Sequence, residues 1–221
     1  MKSAWIIVPL YNEAPVIHDV VAGLLEVFPN VVCVDDGSRD DSAAEAERAG
    51  AVVVRHSVNL GQGAAIQTGI TFALRDPDAR WFVTFDADGQ HVVSDAAEMV
   101  ARLRAGEAEM VFGSRFLDDR TRMGLIKGPV LKLAVAYSNS STGVRLTDTH
   151  NGLRAFSRAM AERFDLRQNR MAHASEIIEQ VGDAKVAYVE HPVHIQYTEY
   201  SRRKGQSLWN SVNILAEMLY R

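Results

Sequence analysis

Residues 82–91 read Phe-Val-Thr-Phe-Asp-Ala-Asp-Gly-Gln-His. The first four suit a buried strand. Two acids one residue apart, a glycine, an amide and an imidazole then follow at once. In an extended segment alternate side chains share a face, so Asp86 and Asp88 can point at one place. Their hard oxygens suit Mg²⁺ or Mn²⁺, and Gln90 adds a neutral oxygen. Gly89 would let the backbone come close to a ligand. His91, a nitrogen donor, suits a structural hydrogen bond better than a hard cation. A solvated acidic turn is the bland alternative, and the rest of the chain has to decide.

Outward from this stretch, short apolar runs alternate with helical patterns. Runs at 4–8, 31–34, 52–54, 81–85 and 110–112 predict strands. Helical spacing or helix-prone composition covers 14–27, 41–48, 63–74 and 95–104, the last with Ser94 as a candidate N-cap. Strands apolar on both faces and alternating with helices predict a parallel sheet covered on both sides. Ligands in such sheets sit beyond the carboxyl ends of the strands. PLYNE, DDGS, DADGQH and GSR all fall at those ends. Four polar clusters at the same edge argue for a site and against scattered turns.

The second half is less regular. Strands are expected at 152–156 and 186–189. Helices are expected at 157–164, capped by Ser157, at 174–181, and from Leu208 to the end. With 221 residues, 47% of them hydrophobic, one core suffices, with a helical C-terminal appendage.

A net charge of −4 and a pI near 6.0 argue against nucleic-acid binding. The single cysteine, Cys33, lies among valines and excludes an internal disulfide. A reducing compartment fits. The N-terminal apolar stretch is too short for a secretory signal, and no run reaches the length of a membrane span. Membrane contact, where it occurs, is then peripheral or through a partner.

Each strand end has its own chemistry. After the first, Tyr11 offers a ring face to a base and Glu13 an acceptor, while Asn12 could cap the next helix. After the second, one of Asp35 and Asp36 can accept from a ribose or base while the other closes a turn at Gly37. Asn59–Ala64 has a G-x-G without the third glycine of a dinucleotide loop and follows the third strand, so a tight loop before a helix is the better account. Arg115 after the fifth can clamp a phosphate in bidentate fashion or form a surface ion pair. His191 and His194 lack metal-ligand spacing and are expected to be satisfied surface residues.

Taken together, VPLYNE, VDDGSRDDS, NLGQGAAIQTG, FDADGQH, FGSRF and DTHNGLRAFSR resemble family 2 glycosyltransferases with the GT-A fold. Within that family the likeness is to dolichyl- and polyprenyl-phosphate sugar transferases. The resemblance implies an α/β, Rossmann-like, mostly parallel sheet flanked by helices. It divides the 221-residue chain into a nucleotide-sugar half (1–118), an acceptor half (119–206) and a C-terminal helix (207–221). It implies inverting transfer from a UDP- or GDP-sugar with Mg²⁺ or Mn²⁺. Pro9, Tyr11, Glu13, Val34, Asp36, Asp86, Ala87 and Asp88 would surround the donor. Asp86, Asp88 and Gln90 would hold the metal, and Asp86, Asp88, Arg115 and Asp148 would serve catalysis. Arg115, Arg154, Arg202 and Lys204 would face phosphate or acceptor.

The likeness breaks at Leu208, where the family's tail motif has lysine. Arg203 and Lys204 are candidate replacements for that charge. A saccharide or other hydroxyl acceptor, or a non-catalytic nucleotide-sugar-binding protein, remain alternatives. Residues 123–137 and the tail helix can pack on the sheet or lie on the cytoplasmic face of a membrane. A separate small membrane subunit and a homodimer through the tail are further expected partners.

Overall fold

The structure is a computed structural model that describes residues 1–117, 139, 142–168, 172–196 and 200. Seven strands form one sheet: β1 (Ala4–Leu10), β2 (Asn30–Asp35), β3 (Val52–Arg55), β4 (Trp81–Thr84), β5 (Met110–Ser114), β6 (Arg154–Ser157) and β7 (Tyr188–Pro192), in the order β3-β2-β1-β4-β6-β5-β7. All pairings are parallel except those of β6, which runs antiparallel to both β4 and β5. The apolar runs did not reveal this reversal, because direction leaves no mark on a strand's composition. Its consequence is functional. Arg154, the first residue of β6, pairs with Thr84 and Phe112 near the carboxyl ends of β4 and β5. The segment that enters β6 is thereby delivered to the polar rim.

Helices cover both faces. α1 (Ala14–Leu25), α2 (Ser42–Ala49) and α4 (Val93–Arg104) pack on one side, with Ile17, Val21, Leu24, Met99 and Leu103 against Ile6, Val8 and Val83. α3 (Gln62–Ala73), α5 (Arg158–Ala161) and α6 (His173–Ala184) cover the other, with Ile66, Ile70, Ile177 and Ile178 among Ile7, Phe82 and Phe156. Ile6 and Ile7 illustrate the strand period of two, since neighbours in β1 serve opposite cores. Each fully buried aliphatic side chain of this kind contributes about 1.5–3 kcal/mol. Cys33 belongs to the first core, where burial pushes its thiol up to about 12 and leaves it inert.

Several local expectations change. Ser94 does not cap α4: Val92 holds that position without a side-chain cap. Asn12 does not cap α1 either. It sits at a φ of 54°, and its side chain accepts from the Arg39 amide, while Pro15 opens the helix. Ser157 does cap α5, accepting from the Met160 amide at 3.2 Å. His194 pairs with the buried Asp95 at 3.0 Å, and His191, itself buried, lies 3.3 Å from Glu98. Among the described residues, no helix is long and apolar enough to cross a membrane. The stretch 123–137, the tail helix, Arg202, Lys204 and Leu208 lie outside the described residues.

Candidate active site

A cleft of about 510 Å³ opens at the carboxyl ends of β1, β2 and β4. Pro9, Tyr11, Glu13, Asp36, Asp86, Ala87 and Asp88 line it together. Seven of the eight residues assigned to the donor from sequence therefore meet in space. The eighth, Val34, is buried inside β2 and lines no part of it. Leu10, Asn59, Gly61, Gln62 and Ala65 complete the wall. Tyr11 is 40% exposed, which leaves its ring free to stack on a planar group.

Asp86 and Asp88 do not lie on an extended strand. β4 ends at Thr84, and residues 87 and 88 already belong to a turn. Asp88 closes that turn by accepting from the Gln90 amide at 3.0 Å. Burial, and then the charge of Asp86, push its carboxyl up. A carboxylate that resists ionisation beside another is one that a divalent cation would stabilise. Asp86 is held differently. Its oxygens accept from Gln62 Nε2 at 3.1 Å and meet His91 Nε2 at 3.0 Å. Burial opposes its charge, but the hydrogen bond and charge of His91, with His173 and Arg154, outweigh burial and hold it low. Gly152 is needed beneath it, because a Cβ there would overlap the Asp86 carboxylate. His91 thus takes the structural part expected of it.

Among the described residues no cluster of three or more His, Cys, Asp or Glu side chains offers a ready cage for a metal. A site that supplies one or two carboxylates and leaves the rest to water and phosphate suits Mg²⁺ or Mn²⁺ better than ions wanting a full protein shell. The donor set fits such an ion at Asp88, with Asp86 adjacent. Gln90 lines neither this cleft nor its neighbour. That neighbour, about 380 Å³, runs along α1 from Asp88 past Val16, Val20 and Gly23. Tyr200 lines it and donates to Glu13 Oε2 at 2.7 Å, so the two cavities share a wall.

Toward β5 and β6 the arrangement differs from the sequence expectation. Arg115 does not face the cleft with an open fork. Its Nε and Nη2 grip Asp148 at 2.6 and 2.8 Å, and its amide adds a third contact at 3.2 Å. Burial opposes the Asp148 charge, but the hydrogen bonds and charge of Arg115 outweigh it and keep the carboxyl low. Glu190 of β7 accepts from the amides of Thr147 and Asp148 and so fixes the same loop. Arg154 was expected to face phosphate or acceptor. It is buried, donates to the Thr149 carbonyl at 3.3 Å, and stands as countercharge to Asp86 and Asp148. Burial lowers its own pKa to about 10.

Sequence reasoning missed three side chains. Gln62 reaches Asp86, and His56 reaches Asp36 at 2.8 Å. His173, at the start of α6, adds to the field on Asp86. Asp36 itself is not an open acceptor: besides His56 it takes the amides of Leu60 and Gly61 at 2.8 and 2.7 Å. Asp35 closes the turn at Gly37, where φ is 74°, by accepting from the Ser38 amide. The NLGQG loop wraps a carboxylate before a helix and is no dinucleotide loop.

A mostly parallel sheet with helices on both faces and a carboxylate-lined cleft at its strand ends is the architecture of the GT-A glycosyltransferases. Solved structures agree on the fold. Glucosyl-3-phosphoglycerate synthase from Mycobacterium tuberculosis, in complex with Mn²⁺, UDP-glucose and phosphoglyceric acid, matches with a TM-score of 0.67 at 18% identity, over 99% of this chain and 79% of that one. The same enzyme has been solved with Mg²⁺ and UDP. The chain belongs to the family described as glycosyl transferase family 2, whose profile matches residues 5–165, and it is a glycosyltransferase. Among its relatives is the UDP-N-acetylglucosamine–dolichyl-phosphate N-acetylglucosaminyltransferase of Methanococcus voltae, 31% identical over 99% of this chain and 95% of that protein. Another is the polyprenol monophosphomannose synthase of Mycolicibacterium smegmatis, 32% identical over 73% of this chain and 64% of that protein.

Proposed function

We propose that this enzyme transfers a sugar from a UDP- or GDP-sugar to a polyprenyl phosphate, with Mg²⁺ or Mn²⁺ and with inversion at the anomeric carbon. The observation that carries the acceptor class is the state of the carboxylates. A hydroxyl acceptor needs a base to take its proton. The two candidates for that role are already engaged: Arg115 grips Asp148 through two guanidinium nitrogens, and Gln62 and His91 hold Asp86, contacts that keep both carboxyls low. They are weak bases. A phosphate acceptor arrives already ionised and needs none. Relatives whose names specify dolichyl phosphate and polyprenol support the same reading.

Within the cleft, Tyr11 stacks on the nucleobase, and Pro9, Glu13 and the wall around Asp36 bound the nucleoside. Asp88 would hold the metal, with Asp86 beside it and Gln90 as a further candidate. When bound there, the ion would supply positive charge to a departing nucleoside diphosphate. Arg115 adds a cation at the far side when it turns from Asp148. Attack from the face opposite the leaving group gives inversion in one displacement. The acceptor places the enzyme at the cytoplasmic surface of a membrane.

The test is a panel of labelled UDP- and GDP-sugars supplied with polyprenyl phosphate in vesicles, with and without chelator. Label should enter the lipid phase only when divalent cation is present. Label confined to a water-soluble glycan rejects the lipid acceptor, and full transfer in excess chelator rejects the metal.

A further inference from the structure

We propose that His56 and Gln62 are positioning residues for the donor, coupled to one another through the Asp36 carboxylate. This rests on the donor cleft described above and extends it to two residues to which the sequence assigned no role.

The contacts form one chain. His56 Nδ1 meets Asp36 Oδ1 at 2.8 Å, and its Nε2 meets Thr68 Oγ1 on α3 at 2.9 Å. An ionised carboxylate only accepts, so Nδ1 carries the hydrogen. In the neutral ring Nε2 then accepts from the Thr68 hydroxyl. The ring and the carboxylate are both nearly closed to solvent, with side chains 10% and 4% exposed. Asp36 passes the constraint on. Its Oδ1 accepts the Leu60 amide and its Oδ2 the Gly61 amide. Gly61 occupies the N-cap of α3, and the next residue, Gln62, donates to Asp86 Oδ1.

A linked set of side chains and amides thus joins the nucleoside end of the cleft to its diphosphate end. With three donors on Asp36, the residue serves the donor chiefly by fixing the wall it belongs to. Loss of His56 removes one of the three donors on Asp36 and loosens the loop that aims Gln62. Loss of Gln62 removes the donor on Asp86 Oδ1 and leaves His91 on Oδ2. Both substitutions relax the same carboxylate, so their effects should overlap.

The experiment is calorimetric titration of the whole chain with UDP plus Mn²⁺ and, separately, GDP plus Mn²⁺. The variants are Gln62→Met, His56→Leu, the two together, and His56→Asn, which keeps an N–H where Nδ1 lies. Each of the first two should weaken nucleotide binding about tenfold, the scale found for groups that orient metal-binding carboxylates. The double variant should be little worse than the weaker single one, because shared interactions are not additive. His56→Asn should recover most of the loss. Melting of the nucleotide-free variants reports folding separately. Unchanged binding in folded variants, or a double variant about a hundredfold weaker, overturns the proposal.

Should His56→Leu fail to fold, His56→Asn is set against His56→Gln, whose amide reaches the Nε2 side instead. Retained binding in the first and loss in the second support the coupling, and equal binding refutes it. A wild-type chain that binds neither nucleotide removes the donor reading itself, and this inference with it.

Discussion

Over β1, β2 and β4, the carboxylates of Glu13, Asp86 and Asp88 border an open cleft. Over β5 and β6, Asp148 is 1% exposed and gripped by Arg115, and Arg154 is buried as countercharge behind both. The residue types are the same on the two sides. What differs is that Asp148 is held by a guanidinium fork, whereas Asp88 sits beside Asp86 and is pushed up by burial and by that neighbouring charge. A charge left open beside another charge costs stability and waits for a ligand, whereas a buried pair spends its interactions on holding the fold. The first side is where metal chemistry is expected. The second fixes the loop that enters β6 and sets a countercharge behind Asp86.

Asp88→Ala sets the two sides furthest apart. Transfer should fall about a thousandfold or more, the scale of losing a group that stabilises charge in the transition state. Melting of the nucleotide-free protein should hold or rise. Removal of a carboxylate whose proton affinity burial and Asp86 raise relieves a cost present at neutral pH. A large fall in melting temperature would make Asp88 structural and erase the contrast.

Arg154→Met attacks the closed side. It leaves Asp86 and Asp148 without their buried countercharge, and should cost about 3–5 kcal/mol of unfolding free energy in urea. A change under 1 kcal/mol would mean that Arg154 belongs to the reaction more than to the fold.

The pH dependence of stability sharpens the same distinction. Asp86 and Asp148 have folded pKa values below the unfolded one, which lies near 3.9. Their contribution is present above that value and is lost as pH falls through the lower, folded values. Acid unfolding should therefore steepen below about pH 4. Asp148→Asn should flatten that limb while lowering stability at neutral pH, as read by urea melts across pH.

The smallest effects concern two serines. Ser157→Ala should cost about 1 kcal/mol, because Ser157 caps α5. Ser94→Ala should change stability by less than about 0.5 kcal/mol, because Ser94 caps nothing. Equal losses would contradict the observed caps.

Much of the open side was legible before any coordinates. Its residues follow apolar runs directly, so their place at the strand ends could be counted along the chain. Tyr11, Asp36, Asp86 and Asp88 were found this way. The closed side was not legible, because Arg115 and Asp148 are 33 positions apart and meet only once β6 has turned back between β4 and β5. Gln62 and His56 escaped for a related reason. Each acts on a carboxylate 20 or more positions away, and neither falls in a pattern with a periodicity of its own.

The sequence by itself determined the alternation of strands and helices, the two-sided core and the edge at which polar groups gather. Those features follow from local periodicity and from the cost of burying polar side chains. Only the tertiary structure decided the reversed direction of β6, the pairing of Arg115 with Asp148, the burial of Arg154 and the fit of Gly152 under Asp86. Such features depend on which distant segments come within hydrogen-bonding reach. A charge reads the same along the chain whether it will be left open or neutralised, and its partner appears only when the chain has closed on itself.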